Sequence, residues 1–393
     1  MLDLQKNILV KYVLFTSLYF VEGIQLAITT VLVPLFLLNK GISPAITTIT
    51  ASMVMIPWAL KFIFGWIVDT QRQINKKKFT IYGGISSGIS LILLAIFNLS
   101  INLILFIFIL FLAQCGIGFL DVSMDAWAIS ETKKKERGKI NGFMMAGFFT
   151  GSAIGATTLT YIADQTNFLI AFFTAGALIL ILMILPSITK KPPTQQRQKK
   201  LTRIVTKEFK KKKTLSLALL LPIISVNSGI ITLAAPLFMN LNLNLTVTQI
   251  GLITTVFTIG RVFGSLTSGT ISDALSRQKT LLIIILTTII FSAAFIFVTN
   301  WTAMTFIYAI LGFLNGGLFT VLLATSMDIT NAKVAAFQFS ILISLMNAGE
   351  LIGEFISGPL INSFGFTRTF LFSAWILGPG LLSLYTIAKK LFS

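Results

Sequence analysis

The chain has no histidine and one cysteine, Cys115, in 393 residues. A histidine-based catalytic triad, a histidine-ligated metal and an internal disulfide framework are therefore excluded. Charge is also scarce, at 11% of residues, and acidic groups number only 13. An ordinary soluble domain carries about 25% charged residues, so a water-soluble globule is excluded. What fills the space is apolar: 55% of the residues are hydrophobic, 35 of them Phe, and the mean hydropathy is +0.89. That composition excludes disordered and coiled-coil chains as well. The formal net charge of +18 would suggest nucleic acid in a soluble protein. In a membrane protein the same excess marks the loops that face an anionic leaflet.

A membrane-crossing helix needs about 20 mostly apolar residues. The sequence offers such runs near 11–38, 45–70, 79–99, 102–129, 139–163, 167–186, 214–240, 248–272, 279–299, 302–328, 334–362 and 366–388. The expected fold is an all-α, polytopic membrane protein of twelve helices. The first run is too long for a signal-peptide core and no small-residue cleavage site comes after it, so it is expected to be retained. With the N-terminus placed in the cytoplasm, 27 of the 31 Lys and Arg fall on the inner side. Only Lys40 and Arg368 fall outside, while Lys61 and Arg261 lie within spans. This asymmetry predicts two cytoplasmic termini in a plasma (inner) membrane with an anionic inner leaflet, and removes the support for nucleic acid. The one long loop, 187–213, holds Pro192-Pro193 and a dense run of Lys. It divides the chain into an N-terminal six-helix bundle (1–186), a basic cytoplasmic linker and a C-terminal six-helix bundle (214–393). An amphipathic helix on the inner leaflet fits this linker, and a regulatory docking site is the sharper alternative.

The two halves repeat. Gly65-Trp-Ile-Val-Asp69, followed by Arg72, ends the second span, and Gly269-Thr-Ile-Ser-Asp273, followed by Arg277, ends the eighth. The two Asp residues lie 204 positions apart; Asp125 and Asp328 lie 203 apart, and Pro34 and Pro236 lie 202 apart. A parallel repeat of six spans plus six is a known transporter layout. With its Gly-x-x-x-Asp and basic signature, the chain resembles the major facilitator superfamily. That resemblance implies two pseudo-symmetric bundles and alternating access around a site near the midplane. Gly allows close helix approach, and an Asp at a helix end pairs with Arg or Lys to latch one state. Asp69, Arg72, Asp125, Arg137, Asp273, Arg277 and Asp328 are therefore expected at a cytoplasmic gate. Pro57-Trp-Ala-Leu-Lys61-Phe and Leu120-Asp121-Val-Ser-Met-Asp125-Ala-Trp127-Ala further resemble the AmpG-type muropeptide permeases and the related acetyl-coenzyme A transporters. This implies a muropeptide-, peptide- or acyl-coenzyme A-like solute.

Ionisable groups inside spans cost about 2.5–3.5 kcal/mol each on insertion scales and usually face a cavity. Glu22, Gln25 and Thr29 form a polar stripe on the first span, and Gln114, Gly118, Asp121 and Asp125 form one on the fourth. Asn347, Glu350 and Glu354 form a third on span eleven, beside the small residues Gly349, Gly353 and Ser357. Lys61 and Arg261 are the deep bases. Either could be held in a permanent ion pair or meet a solute carboxylate or phosphate. Asn227, next to Ser228-Gly229, marks a spot where the seventh span could unwind toward substrate. Glu22, Asp121, Glu350 and Glu354 outnumber the two deep bases, and burial penalises a charged carboxyl. With no histidine, carboxyls are the expected proton carriers.

The expected function is secondary active transport of a small to medium, anionic solute with proton coupling, by a monomer that needs no cofactor or metal. Siderophore, sugar-phosphate and drug transport are alternatives on the same fold, and a non-transporting membrane sensor is the alternative of another class. No nucleophile or nucleotide motif supports an enzyme.

Overall fold

The structure is a computed structural model that describes residues 4, 7–70, 75–96, 102–131, 137–190, 201–329, 335–379 and 381. Its helices in chain order are α1 (Ile8–Ala27), continued through a π-helical turn (Ile28–Leu32) into α2 (Val33–Asn39), α3 (Pro44–Ala59), α4 (Lys61–Thr70), α5 (Lys76–Ile96) and α6 (Leu103–Glu131). Next come α7 (Arg137–Gln165), α8 (Phe168–Leu182), α9 (Ile184–Ser187), α10 (Leu201–Phe209), α11 (Lys212–Leu241) and α12 (Val247–Leu275). The last are α13 (Arg277–Ala293), with a 3₁₀ turn at Ala294–Phe297, α14 (Trp301–Asp328) and α15 (Ala335–Trp375).

Among the described residues, ten helical segments are long and apolar enough to cross a membrane. The difference from twelve has two physical causes. The α7 helix has 29 residues but is rich in Gly, Ala, Ser and Thr, which dilutes its hydropathy. The segment Gln338–Pro379 counts once, although Gly365 has φ 76° and breaks its helical backbone. A residue with a Cβ is strained at that φ, so glycine is what lets the chain turn there. Large apolar side chains such as Ile104, Phe297 and Phe306 stand exposed on the helices, as lipid-facing residues do.

The chain divides into two compact units: residues 1–33 with 53–197, and residues 34–52 with 198–393. In the first unit α1 lies against α7 so closely that a Cβ on Gly147 or Gly151 would meet the backbone carbonyl of Thr16 or Phe20. The second unit repeats the pairing with α11 and α15, where Gly349 and Gly353 face the carbonyls of Pro222 and Val226. Small residues at four-residue spacing let two helix backbones approach without a side chain between them. The linker helix α10 is anchored by apolar side chains: Val205 is buried, and Phe209 packs on the cluster of Leu217, Leu281 and Leu342.

Candidate functional site

In the first unit a charge cluster forms where α1, α4 and α6 meet. Pro57 has no N–H to donate to the Met53 carbonyl one turn earlier, yet α3 stays helical through it to Ala59; helical structure then lapses at Leu60 and resumes at Lys61. Lys61 thus sits at the start of a new helix, and its Nζ lies 2.7 Å from Asp121 Oδ2 and 3.5 Å from Glu22 Oε1. The ammonium also stands 3.7 Å from the centroid of the Trp58 ring, a cation–π contact that desolvated surroundings strengthen. One turn toward the start of α1, Tyr19 donates its hydroxyl hydrogen to Asp125 Oδ1 at 2.7 Å. One turn the other way, Ser87 donates to Gln25 Oε1 at 3.5 Å.

Three buried polar atoms here have no hydrogen-bond partner among the described residues: Glu22 Oε2, Gln25 Nε2 and Gln114 Oε1. Leaving such groups unmet costs about 1–3 kcal/mol each, and an arriving solute or water would satisfy them. Among the described residues Glu22 and Asp121 share the Lys61 ammonium, and Asp125 is held by the Tyr19 hydroxyl, so this cluster carries more negative than positive capacity.

The expected stripes are largely present, with three differences. Thr29 bonds back to the Gln25 and Leu26 carbonyls at the entry to the π turn and does not extend the polar face. Gly118 receives the Phe64 ring, which a Cβ would strike. Asp125, expected beside Arg137, accepts from Tyr19; the Arg137 side chain lies outside the described residues.

In the second unit Ser228 Oγ donates to Glu350 Oε1 at 2.8 Å, and Asn315 Nδ2 donates to Ser228 Oγ at 2.7 Å. This chain of groups lines a cavity of about 20 Å³ with Arg261 and Met346, room for roughly one water. The Arg261 guanidinium carbon lies 5.9 Å from the Phe257 ring centroid. Glu354 is buried one turn beyond Glu350, with Oε2 unmet among the described residues, and Asn347 is buried on the same helix.

The unwinding expected at Asn227 is absent. The α11 helix runs unbroken through it, and Gly229 serves as a contact residue that faces the Glu350 carbonyl. Asn227 points to structural partners: its amide donates to Ser292 Oγ at 3.2 Å and to the Ser373 carbonyl at 2.8 Å. It braces the bundle, and its neighbour Ser228 reaches the cavity.

Of the gate residues, Arg277 Nε meets Asp328 Oδ2 at 3.3 Å, and Arg277 also bonds the Ser272 hydroxyl. Arg72 and the side chains of Asp69 and Asp273 lie outside the described residues. Tyr19 and Asn315 went unnamed in the sequence reading, and Trp58 and Ser228 were named only as parts of motifs, with no role of their own. Two were within reach, because Tyr19 precedes Glu22 and Trp58 precedes Lys61 by three residues, one helical turn.

Long apolar helices carrying buried, mutually bonded charges mark a multi-pass membrane protein. Two matches to the Major Facilitator Superfamily cover residues 15–226 and 217–390, and the chain belongs to that superfamily, which makes it a transporter. Its fold is similar to a bacterial homologue of the human lysosomal transporter Spinster in an inward-facing, unoccupied conformation, at 11% identity and a TM-score of 0.80, covering 97% of both chains. The nucleoside transporter NupG aligns over 98% of this chain and 100% of its own, at 12% identity and a TM-score of 0.79. A POT-family transporter in complex with 5-aminolevulinic acid aligns over 97% and 96%, at 13% identity and a TM-score of 0.79.

Proposed function

We propose that the protein is a proton-coupled secondary transporter for a small to medium solute bearing carboxylate or phosphate, of the muropeptide, peptide or acyl-coenzyme A kind. The observation that carries the reading is the Glu22–Lys61–Asp121 cluster. Lys61 is held by two carboxylates, so protonating one weakens the hold and frees the ammonium for a solute anion. Return of the proton to solvent restores the ion pair and displaces the solute. The solute anion and the carboxylates therefore compete for one cation, and a proton decides the competition. In the second unit Arg261 and Glu350 line one cavity, a second place where a base and an acid can trade partners.

The AmpG-type resemblance supports the solute class through Pro57, Trp58, Lys61, Asp121 and Asp125, four of which lie in or touch the cluster. The fold neighbours do not select a solute, since they include a nucleoside transporter and a complex with 5-aminolevulinic acid. In this reading the bundles are 1–186 and 214–393, both termini and the 187–213 linker are cytoplasmic, and the membrane is the plasma (inner) membrane.

Counterflow in proteoliposomes tests the transport class. Vesicles preloaded with an unlabelled muropeptide, peptide, coenzyme A ester or siderophore are diluted into the labelled solute. Transient accumulation of at least one anionic member is expected. Exchange of uncharged solutes alone would remove the anion assignment, and binding without exchange would make the protein a sensor.

A further inference from the structure

Away from the buried charges, the second unit has a cavity of about 390 Å³ where α10, the start of α11 and the end of α14 come together. Its lining includes Glu208, Lys211, Lys212, Lys213, Thr214 and Asp328. Both acids are already engaged: Glu208 by Lys211 at 2.5 Å, and Asp328 by Arg277 at 3.3 Å. Lys212 and Lys213 are exposed, and their ammonium groups have no partner among the described residues.

The wall behind them also favours an anion. The α11 helix is 30 residues long and begins at Lys212 with no side-chain cap, so its first N–H groups and its positive dipole end are open to a ligand. Thr214 lines the cavity at 1% exposure, and its hydroxyl has no hydrogen-bond partner among the described residues. A hydroxyl in the cavity wall without a partner among the described residues is one that a phosphoryl oxygen would engage.

We infer that this cavity binds a phosphoryl group, supplied by the headgroup of an anionic phospholipid. The lipid is favoured over free phosphate by the residues after Lys211 along α11. Leu215 and Leu219 continue its face at four-residue spacing, 49% and 61% exposed. They are exposed apolar side chains on the helix face that begins at Lys211, a residue of the cavity lining, and so offer an acyl chain a surface next to the charged seat. Basic pockets between membrane helices have this chemistry for headgroups. The site is confined to the second unit and does not depend on the transport reading.

The test is a thermal melt of the full chain in neutral detergent, titrated with phosphatidylglycerol, phosphatidylcholine or millimolar inorganic phosphate. Phosphatidylglycerol is expected to raise the melting temperature saturably, and phosphatidylcholine is not. The double variant Lys212→Gln/Lys213→Gln should melt like the parent without lipid and shift the titration midpoint at least about tenfold, on the scale of two interfacial lysines. A control variant, Lys40→Gln/Lys78→Gln, should leave the midpoint unchanged. If the double variant fails to fold, Thr214→Val carries the test, with the midpoint again expected to move. Equal stabilisation by phosphatidylcholine, or equal shifts in the control and the site variants, would overturn the site. Full protection by inorganic phosphate, with no addition from phosphatidylglycerol, would overturn the lipid assignment and leave a free phosphate as the ligand.

Discussion

Lys61→Met is expected to abolish transport and to lower stability by about 3–5 kcal/mol, the cost of stripping one partner from a buried ion pair. The side chain of Lys61 is only 19% exposed, and those of Glu22 and Asp121 are 3% and 5% exposed. Removing the ammonium leaves two carboxylates within reach of each other and, among the described residues, of no other ion-pair partner. A charge-balanced partner separates fold from function. Lys61→Met with Asp121→Asn should recover most of the lost stability, since a neutral pair carries no uncompensated charge. Transport should stay absent, because the cation that meets the solute is gone. Thermal melts of the three proteins beside solute uptake in vesicles check both halves. Full uptake by either variant would show that Lys61 is a structural ion pair only.

The second large effect belongs to helix packing. Gly353→Val should cost about 3 kcal/mol, the upper end for overpacking, because the new Cβ meets the Val226 carbonyl and the Ile230 amide across the α11–α15 contact. Backbone cannot step aside as a side chain can, so the two helices must separate. The loss should appear as a lower melting temperature and less folded protein in detergent. Gly41→Val is the contrast on steric grounds: a Cβ there meets nothing within 4 Å, although the φ of 76° adds local strain. A Gly353→Val protein that melts like the parent would mean the helices are not in backbone contact.

Spans were legible where length and hydropathy agree, as in Leu103–Ala128, and less so where packing needs small residues. The α7 helix shows why. Its Gly147 and Gly151 allow contact with α1, and the same small residues lower its hydropathy. The break at Gly365 depends on one positive φ, a conformation that a hydropathy pattern does not register. The polar stripe through Glu22 and Gln25 was readable because helical period alone sets which residues share a face. Which cation those acids meet was not readable, since it depends on tertiary packing and on the lapse at Leu60 just before Lys61. Asn227 and Ser228 make the limit concrete. One residue step rotates a side chain about 100° around the helix, and that rotation sends Asn227 into the bracing contacts and Ser228 to Glu350. From sequence, the pair reads as one polar patch.

Proton coupling through buried carboxyls can be measured as pH-driven uptake in proteoliposomes by Glu22→Gln, Asp121→Asn and Glu350→Gln, each beside the unaltered protein. The solute is the one that gives counterflow. A permanently neutral amide cannot take or release the proton, so uptake in at least one of the three should lose its response to an imposed pH gradient while solute exchange without a gradient persists. Equal dependence on the gradient in all three variants and in the parent would rule these carboxyls out as the proton carriers.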